Sequence, residues 1–331
     1  MVDFPVIDLE NLTSQRDNAV EKLMAACAMT GFFYVTNHGI SHQIIEKIFT
    51  VSRELFDLPL EVKEKYPIMD NIGNMRIGQE RLVSMDLIDY KESFNFPSSF
   101  NLATDDQLPS TIKESRKETE NFTRACHAVG CKVLRALAIG LGLEAEHFVK
   151  GHTYGKASGG IFRLLRYPAI PESVDPVSTV RAGSHSDYGT LTLLFQEPPP
   201  AGSEKIASGL QVNVDDSWHD VPSKKDCIVV NIADLLSFWT EGRLRSAVHH
   251  VILPAGELKN TPRYTAVFFM HPNSDHIIEP TPSAIPAPFP AKQDKDGHLV
   301  ASFGPSPFTY KQTGKEYLWR RLNLTYDFAA Y

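Results

Sequence analysis

The chain of 331 residues is 42% hydrophobic and 22% charged, with a formal net charge of −7, as expected for a globular protein. This acidic balance argues against nucleic acid as a partner. No apolar run reaches the roughly 20 residues that a bilayer requires, and the N-terminal sequence MVDFP does not begin a signal peptide, which would have a basic region followed by an apolar one. The four cysteines lack paired spacing and are predicted to be reduced thiols. These features predict a soluble cytoplasmic protein with no membrane or obligatory protein partner.

The first 150 residues are predicted to combine helices with a few strands. The predicted strands are 5–9 and 31–35, and the predicted helices are 17–29, 41–55 and 112–143.

From about residue 159 the pattern changes to short apolar runs separated by Gly, Pro and Asp. These runs are 161–167, 190–195, 209–214, 227–232, 247–253 and 264–270. Their spacing indicates a sandwich or barrel of antiparallel strands. Two proline-containing stretches, 198–208 and 280–290, are predicted to be loops, either at the rim of a site or on the surface without a function.

Three residues in this strand-rich half could bind one metal ion. His185 and Asp187 are two residues apart, so on a strand both side chains point to the same face. His249 lies in a later strand-like run and could face them, with His250 pointing the other way. Each residue alone is more typical of a surface or hydrogen-bonded position. Together, however, two imidazoles and one carboxylate form the ligand set of non-haem Fe(II) oxygenases.

Arg263 and Thr265 are also two residues apart, and Val267 and Phe269 continue the same face. A guanidinium inside a barrel needs an anionic partner, because burying an unpaired charge is costly. Arginine suits a carboxylate, since its planar group binds two oxygens at once. The pair therefore indicates a carboxylate clamp, and the alternative is an ordinary ion pair of Arg263.

Several further segments occur in a fixed order along nearly the whole chain. They are GFFYVTNHGI at 31–40, FDLP at 56–59, SHSDYGTLT at 184–192, GLQV at 209–212, VNIAD at 230–234, TEGR at 240–243, RYT at 263–265 and RLNLTY at 321–326. In this order they resemble the motifs of the plant- and fungal-type 2-oxoglutarate/Fe(II) dioxygenases. That superfamily includes isopenicillin N synthase and a microbial ethylene-forming enzyme.

The resemblance implies an α+β fold. A double-stranded β-helix (jelly-roll) core would occupy 151–331, and an N-terminal α/β region at 1–150 would pack around it. His185, Asp187 and His249 would hold Fe(II), which reacts with O2, and Arg263 with Thr265 would bind the distal carboxylate of 2-oxoglutarate. Thr265 stands where the family usually has Ser, and it keeps the hydroxyl donor.

Segment 161–168 occupies the place of a family strand that contacts the cosubstrate. Tyr167 matches the aromatic residue of that strand, whereas Leu165 replaces its usual Asn. Strand parity places Arg163, Leu165 and Tyr167 on one face and Arg166 on the other. Arg163 is therefore the candidate for an inward-facing anion binder, and Arg166 is expected to pack or to be solvated.

Tyr188, Phe94 and Phe269 are the remaining candidates for substrate contact. Tyr188 could line the pocket or pack against the barrel rim, and the main expectation for Phe94 is a structural role. Asn231 and Asp234 are interpreted as turn residues.

The resemblance implies oxidation of a small-molecule substrate with release of succinate and CO2. Hydroxylation is the expected outcome, with desaturation or ring closure as alternatives. Three rival hypotheses stay open: an oxidase of the isopenicillin N synthase type that uses no 2-oxoglutarate, an ethylene-forming enzyme, and a non-enzymatic binding module. The intact set of candidate ligands argues against the binding module, and the sequence does not identify the prime substrate.

Overall fold

The structure is a computed structural model that describes residues 2–13, 17–80, 88–171, 174, 179–197, 209–253, 260–279, 281 and 311–325. The predicted loop at 198–208 lies outside these residues. So do Tyr326 and, apart from Thr281, the proline-containing stretch 280–290.

Most helices lie in the first 150 residues, where periodicity predicts them. They are α1 (Leu9–Thr13), α2 (Asp17–Met29), α3 (His42–Phe56), α4 (Leu60–Lys63), α5 (Ser110–Glu114), α6 (Arg116–Gly140), α7 (Asp234–Trp239) and α8 (Gly314–Thr325), with 3₁₀ turns at Phe100–Leu102, Asp105–Gln107 and Val149–Gly151. The helix predicted at 112–143 is divided into α5 and α6, because the backbone at Ser115 leaves the helical conformation with φ −108° and ψ 22°.

The strands form one large and one smaller sheet, with two short pairs beside them. They are β1 (Val6–Asp8), β2 (Phe32–Thr36), β3 (Gly73–Met75), β4 (Ile88–Asp89), β5 (Glu92–Pro97), β6 (Ile161–Tyr167), β7 (Thr179–Val180), β8 (Ala182–His185), β9 (Leu191–Gln196), β10 (Leu210–Val214), β11 (Ser217–Asp220), β12 (Ile228–Ile232), β13 (His249–Val251), β14 (Arg263–Met270), β15 (Ile277–Ile278) and β16 (Gln312–Thr313). The large sheet has the order β1-β2-β12-β9-β14-β6-β5-β3, and the smaller has the order β11-β10-β13-β8.

The two sheets enclose a cavity, which is the interior of the predicted jelly roll. Residues of β6, β9 and β14 line it from the large sheet, and residues of β8, β10 and β13 line it from the smaller sheet. Alternation along β6 sends Arg163, Leu165 and Tyr167 inward, while Phe162 and Leu164 join the core on the outer face. The predicted α+β fold with a jelly-roll core is confirmed.

Helices cover the outer face of the large sheet. The buried face of α6 carries Phe122, Cys126, Val129 and Val133, which share one apolar core with outward-facing residues of β6, β9 and β14. This layer buries the outer face of the sheet behind the cavity.

Regions 1–150 and 151–331 share the large sheet. Strands β1, β2, β3 and β5 come from the first region, and each is hydrogen-bonded into the same sheet as β6, β9, β12 and β14. The N-terminal region therefore completes the core sheet as well as packing around it.

The cysteines are free thiols, as predicted from their spacing, and three of the four are buried. Within the described part of the chain, no helix is long and apolar enough to cross a membrane.

Candidate active site

The three candidate metal ligands meet where β8 and β13 pair. His185 ends β8, His249 begins β13, and the two residues are direct partners in the antiparallel register. Their Nε2 atoms lie 3.8 and 3.7 Å from Oδ1 of Asp187. One ligand atom from each of the three residues lies within 4.8 Å of the others. The structure thus brings together all three residues that the sequence singles out.

Backbone carbonyls orient both imidazoles toward the centre of this cluster. His185 Nδ1 lies 2.7 Å from the carbonyl oxygen of Gly183, and His249 Nδ1 lies 3.0 Å from that of Ala247. An Nδ1–H that donates to a carbonyl leaves the Nε2 lone pair free for a metal ion. Burial, followed by the neighbouring His249, lowers the pKa of His185 to about 3, so this imidazole is neutral. The donor set fits Fe(II).

Two side chains from the large sheet hold the carboxylate of Asp187. Thr192 Oγ1 donates to Oδ2 at 2.6 Å and Asn231 Nδ2 donates to the same oxygen at 2.8 Å. Burial acts to raise the pKa of Asp187, but the two histidines and these hydrogen bonds outweigh it, so the pKa lies below its usual value. Oδ1 is left to face the histidines. Asn231 therefore supports a candidate ligand and is not merely the turn residue that the sequence suggested.

Asp234 joins the metal-ligand segment to the C-terminal helix. Its carboxylate accepts hydrogen bonds from the hydroxyls of Ser186 at 2.8 Å and Ser246 at 2.7 Å, and it forms a buried ion pair with Arg321 of α8. Its backbone N–H donates to the carbonyl of Asp187 at 2.8 Å. The interpretation of Asp234 as a turn residue is corrected, because its carboxylate is the centre of this network.

Arg263, Thr265 and Tyr167 form a second polar region of the cavity wall. Arg263 and Tyr167 are partners in the register of β14 and β6, and the guanidinium carbon lies 5.7 Å from the centre of the tyrosine ring. Burial lowers the pKa of Arg263, with Tyr167 and Glu197 acting in the opposite direction. A buried cation beside a hydroxyl can bind a carboxylate through two oxygens.

The rest of the cavity is mainly apolar, and its volume is about 160 Å³. Its apolar lining comes from both sheets and from α8, and includes Leu165, Leu194, Val267, Phe269, Leu318 and Leu322. Tyr188 also lines it, with the guanidinium carbon of Arg321 lying 4.9 Å from its ring centre. Tyr188 and Phe269 are thus placed where a substrate could touch them.

Phe94 lies away from this cavity, so it is not a substrate contact. It pairs with Leu164, whose side chain belongs to the outer core, and its own side chain is fully buried there. Its ring stacks on Phe96 with 4.7 Å between the centres. Strand parity accounts for this position, because Leu164 is out of phase with the inward-facing Arg163 and Leu165.

Arg163 faces the cavity, as parity predicts, but acidic and amide groups already surround its guanidinium. Its Nε donates to Asn95 Oδ1 at 2.7 Å, and its Nη1 lies 3.3 Å from Glu80. Arg166 points to the other face and pairs with Glu92 at 3.2 Å. The positive charge of Arg163 is therefore paired with the carboxylate of Glu80. This pairing corrects the interpretation of Arg163 as a binder of an anionic substrate.

Residues 161–272 match the 2OG-Fe(II) oxygenase superfamily, and residues 4–123 match the family described as non-haem dioxygenase in morphine synthesis N-terminal. The chain is 32% identical to UPF0676 protein C1494.01 of Schizosaccharomyces pombe, over 99% of this chain and 94% of that protein. It is 30% identical to 1-aminocyclopropane-1-carboxylate oxidase 4 of Solanum lycopersicum, over 86% of this chain and 84% of that enzyme.

Among solved structures, a full-length Neurospora crassa protein in complex with alpha-KG and thymine is similar to this chain. The two share 26% sequence identity with a TM-score of 0.77, over 98% of this chain and 97% of that one.

The jelly-roll fold and the two-histidine, one-carboxylate cluster define a non-haem iron oxygenase. The chain belongs to the 2OG-Fe(II) oxygenase superfamily, and it is a 2-oxoglutarate-dependent dioxygenase whose cofactors are Fe(II), 2-oxoglutarate and O2. The family and the cofactors predicted from the sequence are confirmed.

Proposed function

We propose that this enzyme hydroxylates a small organic molecule bound in the cavity between the two sheets. The observation that carries the proposal is that the candidate iron ligands and the Arg263 region line the same cavity, from the smaller and the large sheet respectively. The apolar remainder of the cavity is then left for the substrate. The complex of the similar Neurospora crassa protein with thymine supports a substrate of modest size.

His185, Asp187 and His249 are the proposed iron ligands, and Arg263 with Thr265 is the proposed clamp for the distal carboxylate of 2-oxoglutarate. When bound, iron and cosubstrate supply the oxidising chemistry, in which 2-oxoglutarate and O2 yield succinate, CO2 and one oxygen atom for a substrate C–H bond. The chain contributes orientation of both groups and apolar walls that exclude water.

Succinate formation after anaerobic loading with Fe(II) and 2-oxoglutarate, followed by O2, tests this proposal. We expect succinate to require both additions and to be lost in His249→Ala. The matched control is His250→Ala, because His250 adjoins the ligand but stacks on Trp218 instead. Arg263→Leu should raise the KM for 2-oxoglutarate by about 100-fold, since charged hydrogen bonds are lost.

Other outcomes would change the assignment. Succinate formation that survives His249→Ala would remove the iron site. Substrate oxidation without 2-oxoglutarate would favour an oxidase like the similar 1-aminocyclopropane-1-carboxylate oxidases. Ethylene in the headspace would indicate breakdown of 2-oxoglutarate itself.

A further inference from the structure

His271 is a cavity residue that the sequence motifs did not single out. It follows β14 directly, lines the same cavity as the candidate iron ligands, and is 9% exposed. Gly189 makes room for its ring, because a Cβ atom there would lie 2.7 Å from Cδ2 and 2.8 Å from Nε2 of His271. The chain thus builds a slot for an imidazole at the edge of the substrate space.

The ring of His271 has hydrogen-bonding capacity that the described protein does not use. Nδ1 is buried and has no hydrogen-bond partner among the described residues, and Nε2 forms no hydrogen bond to them either. Burial lowers the pKa of His271 to about 4, so near neutral pH the ring is uncharged and offers one N–H donor and one lone pair. Buried polar groups in native proteins nearly always have a partner. A bound molecule can supply one here.

Apart from Asp187 and Arg263, the charged groups of the cavity wall form ion pairs with neighbouring side chains. Lys91 Nζ lies 2.9 Å from Glu80 and 2.8 Å from Asp89, and Glu80 also pairs with Arg163. Two cations and two carboxylates therefore balance in this cluster. A substrate carboxylate placed beside it would lose hydration and would meet acidic groups as well as basic ones.

We propose that His271 contacts the substrate, and that the substrate is an uncharged molecule carrying an amide-like group that hydrogen-bonds to this ring. This inference rests on the proposed function, because it concerns the same cavity. An amide or lactam offers both a donor and an acceptor, so it can bind either nitrogen of a neutral imidazole.

Calorimetric titration of the anaerobic enzyme, loaded with Fe(II) and 2-oxoglutarate, tests this inference with matched probes. Each probe pair consists of an amide and the carboxylate of the same skeleton: benzamide and benzoate, nicotinamide and nicotinate, and indole-3-acetamide and indole-3-acetate. We expect amides to bind more tightly than their carboxylates. His271→Leu should weaken amide binding by about fivefold to tenfold, the effect of one lost neutral hydrogen bond.

His271→Asn and His271→Gln provide the rescue. Their amide groups bring polar atoms near the positions of Nδ1 and Nε2, so at least one should recover part of the amide affinity. His219→Leu is the matched control, because His219 lies on β11 and does not line the cavity. Its probe affinities should equal those of the wild type.

Three results would overturn the inference: carboxylates that bind more tightly than amides, amide binding unchanged in His271→Leu, or no amide binding to the wild type at millimolar concentration. The affinity for 2-oxoglutarate is measured in the same titrations. It distinguishes failure of this inference from failure of the proposed function. Wild-type enzyme that does not bind 2-oxoglutarate would refute the function. Normal 2-oxoglutarate binding with any of the three results would refute only the role of His271 and the substrate class.

Discussion

Thr192 and Asn231 fix Asp187 through hydrogen bonds to one carboxylate oxygen, at 2.6 and 2.8 Å. Thr192→Val keeps the shape of the side chain but removes its donor. We expect Fe(II) affinity to fall by about 10-fold or more, the usual effect of losing a group that orients a ligand. Titration with Fe(II) under anaerobic conditions measures this change.

Thr240→Val is the control for this substitution. Thr240 is also fully buried, but its hydroxyl donates to the carbonyl of Leu236 at 2.8 Å and does not touch the metal-ligand cluster. Its Fe(II) affinity should match that of the wild type. Equal affinities for all three proteins would mean that Asp187 keeps its orientation without Thr192.

Sequence alone could locate the candidate ligands but not the residues that support them. The ordered motifs were enough for His185 and Asp187, although Asp187 lies just beyond the end of β8 and not on the same strand as predicted. The contacts of Asn231 and Thr192 with Asp187 depend on the pairing of β12 with β9, which brings Asn231 opposite Thr192. A local pattern carries no information on that pairing, so Asn231 was interpreted as a turn residue.

Among the elements, α8 makes one buried ion pair. Arg321 is 3% exposed and pairs with Asp234, whose charge would otherwise be buried among two serine hydroxyls. Arg321→Met should lower the free energy of unfolding by about 3 kcal/mol, because the carboxylate loses its cation. Urea denaturation measures this difference.

The matched control is Arg124→Met. Arg124 pairs with Glu120 on the exposed side of α6, and its side chain is 57% exposed. Such surface pairs contribute about 0 to 1 kcal/mol, so the control should unfold nearly as the wild type does. If Arg321→Met lowers the free energy of unfolding by no more than Arg124→Met does, α8 is held by its apolar contacts. Those contacts include Leu318 and Leu322 at the cavity.

Strands β6, β9 and β14 and the long helices were predictable because each repeats its own local pattern, whereas β5 and β8 were not predicted. The observed β6 coincides with the predicted strand at 161–167, and α2 with the predicted helix at 17–29. Helix α8 was not among the predicted elements, and a local sequence pattern carries no sign of its ion-pair partner in α7. The main expectation for Phe94, a structural role, agrees with its place in the core. Substrate contact stayed open as an alternative because sequence position near a pocket motif does not reveal which face of β5 a side chain occupies.

The folded molecule as a whole should lose stability in mild acid. Burial lowers the pKa of His152 to about 3 and that of His271 to about 4. His152 Nδ1 lies 2.8 Å from the carbonyl of Phe148, and its Nε2 lies 3.0 Å from the hydroxyl of Thr190, which suits a neutral ring. The unfolded chain takes up these protons near pH 6.5, so stability is complete above about pH 6.5 and declines as the pH falls toward the folded pKa values.

For His152 alone, the expected loss between about pH 7.5 and about pH 5 is about 2 kcal/mol. Urea denaturation at both pH values, for the wild type and His152→Gln, measures it, because an amide does not protonate. The variant should show a smaller dependence on pH, whereas His42→Gln, which changes a mostly exposed histidine, should keep that of the wild type. Equal slopes for wild type and His152→Gln would refute the contribution of His152.

The direct pairing of His185 with His249 in the register of β8 and β13 also determines which insertions and deletions in the sequence the site tolerates. Since backbone hydrogen bonds join β8 to β13, the distance between the two imidazoles does not depend on the length of the chain that connects them. Insertions and deletions in the intervening loops are therefore compatible with an unchanged site. A slip of one residue within either strand is not, because it would turn that strand's ligand to the opposite face.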